Sequence, residues 1–155
     1  MKKQIFLLVL TALMINCAGT QGNGMNTTNN NRSGIEGNEW KLIEVYIDGM
    51  DISFRRNTLP EELKNFFTLN FDAEIVSGVG APNRYSAPYT RGDSQISISL
   101  MRSTMMASFF EPENLNEHNF FIYLQNAYEW KLVNENLELL SKTENGSEVR
   151  LVFSL

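Results

Sequence analysis

The chain has 155 residues with 13 basic and 18 acidic side chains, one cysteine and one histidine. A net charge of −5 argues against nucleic acid as a partner, since phosphate binding wants clustered Lys and Arg and the nearest basic feature is the pair Arg55-Arg56. With no cysteine after position 17 and a single histidine, the rest of the chain holds neither an internal disulfide nor a His-rich metal site, and no metal or cofactor is expected.

The chain opens with Lys2 and Lys3 and an apolar stretch from Ile5 to Ile15. That stretch is too short for a membrane-spanning helix, which needs about 20 residues, but it matches the apolar region of a secretory signal. Leu13-Met14-Ile15-Asn16-Cys17 resembles a bacterial lipobox, in which the cysteine thiol is acylated and becomes the new N-terminus. Met14 and Asn16 depart from the usual Leu and small residue, and the other reading is a plain signal peptide cut elsewhere. Residues 1–16 are thus expected to be a lipoprotein signal peptide and Cys17 the lipidation site, which makes the membrane a partner through palmitate-type acylation. Ala18 is not the Asp that retains enteric lipoproteins at the inner membrane, so the sorting rule points to the outer membrane. Loss of the leader leaves 11 basic against 18 acidic residues, a charge of −7.

Residues 18–38 contain six Asn and five Gly with no aromatic residue, a composition that buries too little to offset its ordering entropy. The expected result is a disordered tether of about 25 Å reach, followed by one domain over residues 39–155.

That domain reads as α+β, mainly antiparallel β, a curved sheet or partial barrel. The first strand runs around Trp40 to Ile47 and slips phase between Leu42 and Ile43, which predicts a bulge. Thr58-Leu59-Pro60-Glu61 looks like a capping box and predicts a short helix over 59–66. Phe67, Leu69, Phe71, Ala73 and Ile75 alternate with polar residues as in a strand buried on one face, and Ile96, Ile98 and Leu100 do likewise. Pro112 to Asn126 predicts the main helix, with Leu115, Phe121, Ile122 and Leu124 on its apolar flank. Three strands follow, carrying Tyr128, Trp130 and Leu132, then Leu137 and Leu139, then Val149, Leu151 and Phe153. Asn134-Glu135-Asn136 and Asn145-Gly146 separate them, which gives an antiparallel meander.

The order of features resembles the META domain of HslJ-like bacterial envelope proteins, over about residues 38–155. Glu39-Trp40-Lys41-Leu42 looks like the family's opening strand. Asn83-Arg84-Tyr85-Ser86 with Tyr89 looks like its stretch Gly-Cys-Asn-Arg-Tyr-Ser-Gly-x-Tyr, and Thr104-Met105-Met106-Ala107-Ser108 its Thr-x-Met-Ala-Cys. Glu117, Phe121 and Leu124 fall on the helix that follows. Pro82 and Ser108 stand where the family commonly has cysteine, and Ala87 replaces a glycine. Joint loss of both cysteines fits a pair, since an orphan thiol invites wrong pairing. The resemblance implies envelope binding or maintenance, with heat-shock or antibiotic-tolerance roles in some relatives.

Several side-chain groups invite a chemical reading. Asn83, Arg84, Tyr85 and Tyr89 form the candidate binding surface for an envelope protein or glycan, where Arg84 offers planar donors beside aromatic faces. The competing reading is a structural corner in which Gly78 and Gly80 permit a sharp bend. His118 beside Glu117 lacks a nucleophile or third ligand at useful spacing. Glu61-Glu62 and Glu111/Glu113 read as solvated charges, and Met101, Met105 and Met106 as core filling rather than a thioether metal set. Arg91-Gly92-Asp93 is an adhesion tripeptide in form, but Gly-Asp is also ordinary turn chemistry between Tyr89 and Ile96. No catalytic residue is expected, and the whole reads as a membrane-anchored, non-catalytic envelope lipoprotein. The alternatives are a surface-exposed adhesin or inhibitor, and an enzyme using an unrecognised carboxylate site.

Overall fold

A computed structural model describes residues 34–52, 54–107 and 114–155. The signal peptide, Cys17 and the tether up to residue 33 lie outside these residues, as do Ser108, Glu111, Pro112 and Glu113.

Ten strands form one antiparallel sheet. They are β1 (Glu39–Ile47), β2 (Met50–Asp51), β3 (Thr68–Asp72), β4 (Ile75–Val79), β5 (Arg84–Arg91), β6 (Ile96–Ile98), β7 (Arg102–Ser103), β8 (Glu129–Val133), β9 (Asn136–Lys142) and β10 (Glu148–Ser154). One helix, α1 (Glu117–Gln125), precedes β8. The strand order is β6-β5-β4-β3-β1-β10-β9-β8, with β2 beside β1 and β7 beside β5. The two ends of this order meet. Gln95 bridges Glu129, Ile96 N donates to Tyr128 O at 3.2 Å and Trp130 N to Ser94 O at 2.8 Å, so the sheet is nearly closed into a barrel.

In β1 the register slips between Leu42 and Glu44 opposite β10, the bulge that the phase change predicts. It lets Leu42 and Val45, three residues apart, both reach the core. The barrel interior is an aromatic chain. Phe54, Phe67 and Phe120 meet edge to face at centroid distances of 5.6 and 5.2 Å, and Tyr85 adds to Phe120 at 6.0 Å and to Phe121 at 5.3 Å. Helix α1 plugs this interior with Phe120, Tyr123 and Leu124, and each such ring or aliphatic group buried contributes about 2 kcal/mol. Asn116 caps α1 by accepting from Asn119 N at 2.8 Å. The helix begins at Glu117, well after Pro112, because that cap fixes its start, and Phe120 faces the core more fully than Phe121 or Ile122.

The domain begins before residue 39. Ile35 is fully buried, Trp40 Nε1 donates to Ile35 O at 2.8 Å, and Gly37 N donates to Phe71 O at 3.1 Å, so residues 34–38 belong to the domain and not to the tether. A composition average hides one buried isoleucine among glycines.

Other expectations are corrected at strand ends and edges. The run from Phe67 to Ile75 is not one strand: Ala73 has φ 22° in a tight turn, and Ile75 emerges 44% exposed on β4 opposite Asp72. Leu100 lies past the end of β6 and is 84% exposed, and Tyr128, just before β8, and Leu132, within it, are exposed, only Trp130 of that strand being buried. In place of a helix over 59–66 there are two separate 3₁₀ turns, Arg56–Thr58 and Glu61–Leu63. Thr58 Oγ1 donates back to Arg55 O at 2.8 Å instead of capping Glu61. The Asn134-Glu135 and Asn145-Gly146 turns form as expected, with positive φ at Asn134, Glu135 and Gly146.

Arg56 organises this 3₁₀ segment. Its buried guanidinium donates to Leu42 O at 2.6 Å, beside the bulge, to Phe67 O at 3.0 Å, and to the carbonyls of Lys64 and Phe66. Burial pushes its pKa down to about 10, which leaves it a cation at neutral pH. Replacing Arg56 with Met strands the carbonyls of Leu42, Lys64 and Phe66, while Phe67 O keeps the Leu42 N–H, and is expected to lower the unfolding free energy by about 3 kcal/mol. Arg56→Lys, with three donors on a non-planar head, should recover less than half of that loss. Urea unfolding of the three proteins measures both.

Candidate functional site

The segments that resemble family motifs converge on one side chain. Asn83, at the corner before β5, is buried. Its Nδ2 donates to Glu117 Oε2 at 2.6 Å and to Met106 O at 3.1 Å, while its Oδ1 accepts from Thr104 Oγ1 at 2.8 Å and from Met106 N at 2.7 Å. Glu117 Oε1 accepts from Ala81 N and Asn83 N, both at 2.6 Å. One carboxylate at the first turn of α1 therefore holds the backbone of the β4–β5 corner, and one amide holds the strand that follows β7. Thr104 N also donates to Arg84 O, and Arg84 N to Thr104 Oγ1, both bonds extending the β5–β7 pairing.

The local sequence is fitted to these contacts. Gly80 has room for nothing more: a Cβ there would come within 2.8 Å of both Glu117 Cγ and Phe121 Cζ. Gly78 faces the bond from Tyr85 Oη to Thr68 O, 2.7 Å long, and a Cβ would collide with both partners. Both glycines thus serve close approach rather than the sharp bend, since neither adopts a positive φ. Burial raises the Tyr85 phenol well above its ordinary pKa, so it remains a donor.

The four residues of the candidate binding surface do not share a face. Alternation along β5 turns Tyr85 and Tyr89 inward and Arg84 outward, and Asn83 is consumed by its four partners. Tyr89 packs on Phe71 at 5.0 Å, and Arg91 pairs with Glu36 at 2.6 Å while its guanidinium lies 5.6 Å from the Trp130 ring. Arg91 of the Arg-Gly-Asp tripeptide is thereby engaged inside the protein, and Gly92 and Asp93 form the exposed β5–β6 turn. His118 is exposed on α1, pointing away from the work that Glu117 does. Glu61 pairs with Lys64 on the surface. Met105 and Met106 are 99% and 61% exposed, so they are not core residues; the Asn83 clamp on Met106 holds that stretch outside the barrel, while Met101 packs against the core edge.

A second surface lies on the outer face of β1, β10 and β9. The Arg150 guanidinium sits 4.0 Å from the Tyr46 ring, whose hydroxyl donates to Glu44 at 2.9 Å. Tyr128 donates to Glu148 at 2.6 Å, which lowers the Glu148 pKa with help from Lys142 and raises that of Tyr128. Tyr46, Tyr128, Glu148 and Arg150 line a shallow depression of about 200 Å³. Tyr46, Tyr128 and the β10 residues Glu148 and Arg150 are far apart in sequence, and strand pairing brings them together. Among the described residues no group of three or more His, Cys, Asp or Glu side chains is placed to hold a metal ion, and no helix is long and apolar enough to cross a membrane.

The fold and the clamp define a small antiparallel β-barrel whose helix α1 locks a β-corner through a carboxylate. The META domain model matches residues 33–153, and the chain belongs to the META domain family. The match begins two residues before Ile35, in keeping with the domain boundary seen in the structure. Among solved structures, the chain is similar to a protein from Burkholderia xenovorans determined by NMR, with 18% identity, 99% of each chain covered and a TM-score of 0.54, a likeness of fold. No curated protein matches the sequence.

Removing the clamp tests its weight. Asn83→Ala should cost about 3 kcal/mol, because it leaves the Met106 peptide and a part-buried carboxylate without their partner. Glu117→Gln, which sets one amide donor against another, should cost about 1–2 kcal/mol. The double variant should cost less than the sum, since both remove the same bond. Thermal or urea unfolding of the three variants gives the coupling, and full additivity would show that the two side chains act separately.

Proposed function

We propose that this protein is a lipid-anchored, non-catalytic component of the bacterial cell envelope, in which a META domain related to HslJ-like proteins serves binding or envelope maintenance. The observation that carries the reading is the fate of the motif residues. Asn83, Thr104, Tyr85 and Glu117 all spend their polar atoms on backbone groups or on one another. Side chains committed in that way hold a scaffold, whereas a catalytic group needs a polar atom free to meet substrate.

The sequence supports the anchor. Lys2, Lys3, the apolar stretch to Ile15 and the lipobox-like Leu13–Cys17 give the order expected of a lipoprotein leader, and Ala18 favours the outer membrane. The partner class is an envelope protein or glycan, and a stress-linked role follows the resemblance to HslJ-like proteins. Two anchoring signals hold a protein on a membrane far more firmly than one acyl chain, and a mature lipoprotein carries several chains at its cysteine.

Metabolic labelling with an alkyne fatty acid, followed by membrane fractionation, tests the reading in cells that express the full chain or Cys17→Ser. Label and protein should be together in the membrane fraction for the parent, and the variant should lose at least 90% of the label. Equal release of unlabelled protein by both would overturn the anchor and leave an exported protein without a lipid.

A further inference from the structure

The edge of the sheet at β7 combines exposed apolar groups with cations that have no counter-charge. Leu100, Met105 and Met106 are 84%, 99% and 61% exposed, within seven residues of chain. Arg102 lies among them, and Arg84 is next to it across the β5–β7 pairing, where Ser86 faces Arg102 and Arg84 O receives Thr104 N. Seven other Lys and Arg side chains of the described residues stand within 3.7 Å of a carboxylate, and Arg56 is buried on carbonyls. Arg84 and Arg102 are both exposed, and among the described residues neither has an ion-pair partner. In a chain of net charge −5, this edge is where positive charge is left uncompensated.

From this combination we infer that the β7 edge docks on an anionic lipid bilayer, with Leu100, Met105 and Met106 entering the interface and Arg84 and Arg102 meeting lipid phosphates. Two features favour a bilayer over a folded or peptide partner. Met105 stands free of the surface and Leu100 and Met106 are largely exposed, and the neighbouring depression lined by Ile75, Pro88, Leu100 and Arg102 is shallow, about 340 Å³. Protruding apolar side chains ringed by cations suit a deformable interface, where they enter the acyl boundary while the charges remain at the headgroups. The second feature is rigidity. Asn83 grips both the N–H and the C=O of Met106, so the segment is held outward instead of folding its methionines onto the barrel. This inference does not rest on acylation of Cys17, and loss of the anchor would leave it standing.

The test uses the full chain with Cys17→Ser, so that no acyl chain contributes, and a single new cysteine for an environment-sensitive fluorophore at Met105→Cys or, as a control on the far β9–β10 turn, at Glu144→Cys. Vesicles of phosphatidylglycerol and phosphatidylcholine, or of phosphatidylcholine alone, are titrated against each. The probe at 105 should shift to the blue on anionic vesicles only, and the probe at 144 should remain unchanged. Arg84→Gln with Arg102→Gln should weaken the titration about 30-fold, at about 5-fold for each arginine. These are exposed positions, and an unchanged urea midpoint verifies the fold. A chain that sediments with vesicles through its leader while the 105 probe stays silent would overturn the inference, as would equal shifts at both positions or on neutral vesicles. A shift with an acidic, leucine-containing peptide and none with vesicles would assign the edge to a protein partner and likewise overturn it.

Discussion

The grip of Glu117 and Asn83 on the β4–β5 corner is the contact on which the arrangement of the barrel depends. Helix α1 has only nine residues, too few to be stable alone, and its place is fixed by what its first turn binds. The Glu117 carboxylate takes two backbone N–H groups of the corner and the amide of Asn83. Gly80 is small because that carboxylate and Phe121 press against it. From there the aromatic rings of α1 fall onto Phe67 and Tyr85. Polar contacts decide where the helix sits, and burial of Phe120 and Leu124 supplies most of the free energy.

Arg56 plays a matching part on another segment. A bulge frees a carbonyl at Leu42, and the irregular segment before Phe67 leaves the carbonyls of Lys64 and Phe66 without strand partners. One planar guanidinium answers these three at once and shares Phe67 O with the Leu42 N–H. A neutral side chain has too few donors, and a lysine has the charge without the fork. Burial of a cation without a carboxylate is costly, and that cost is tolerable because all its bonds run to fixed backbone dipoles.

Much of the sheet is legible in the sequence where both neighbours of a strand are present and one face is buried. Leu137 and Leu139, and Val149, Leu151 and Phe153, all reach the core for that reason, though Glu138 and Val152 between them are buried as well, and the slipped phase at Leu42 announces the bulge. At strand ends the same alternation misleads. Ile75 and Leu100 continue a pattern after the chain has turned or left the sheet, Leu132 continues it on an exposed stretch of β8, and nothing in their spacing says that the core has ended. The 3₁₀ segment was invisible because its order comes from Arg56, whose partners lie up to 14 residues away. Of the clamp, the motif residues are recognisable in order, but Asn83 meets Thr104 and Glu117 across 21 and 34 residues. Spacing alone therefore showed Asn83 as part of a surface, when its amide is the buried centre of the corner.

The position of β1 sets the order in which this domain can be completed. Its neighbours are β2 and β3, which follow soon after, and β10, the last of the described strands, with Lys41 lying opposite Ser154. A chain emerging N-terminus first must keep the second edge of its central strand open until β10 has appeared. Contacts of such long range form slowly, because loop closure precedes any gain from pairing. Trp40, Leu42 and Val45 are then the groups that a holdase would find exposed. Loss of Phe153 and Ser154 would do more harm than their number suggests, because it removes the rungs opposite Leu42 and Lys41 in the ladder that closes the middle of the sheet.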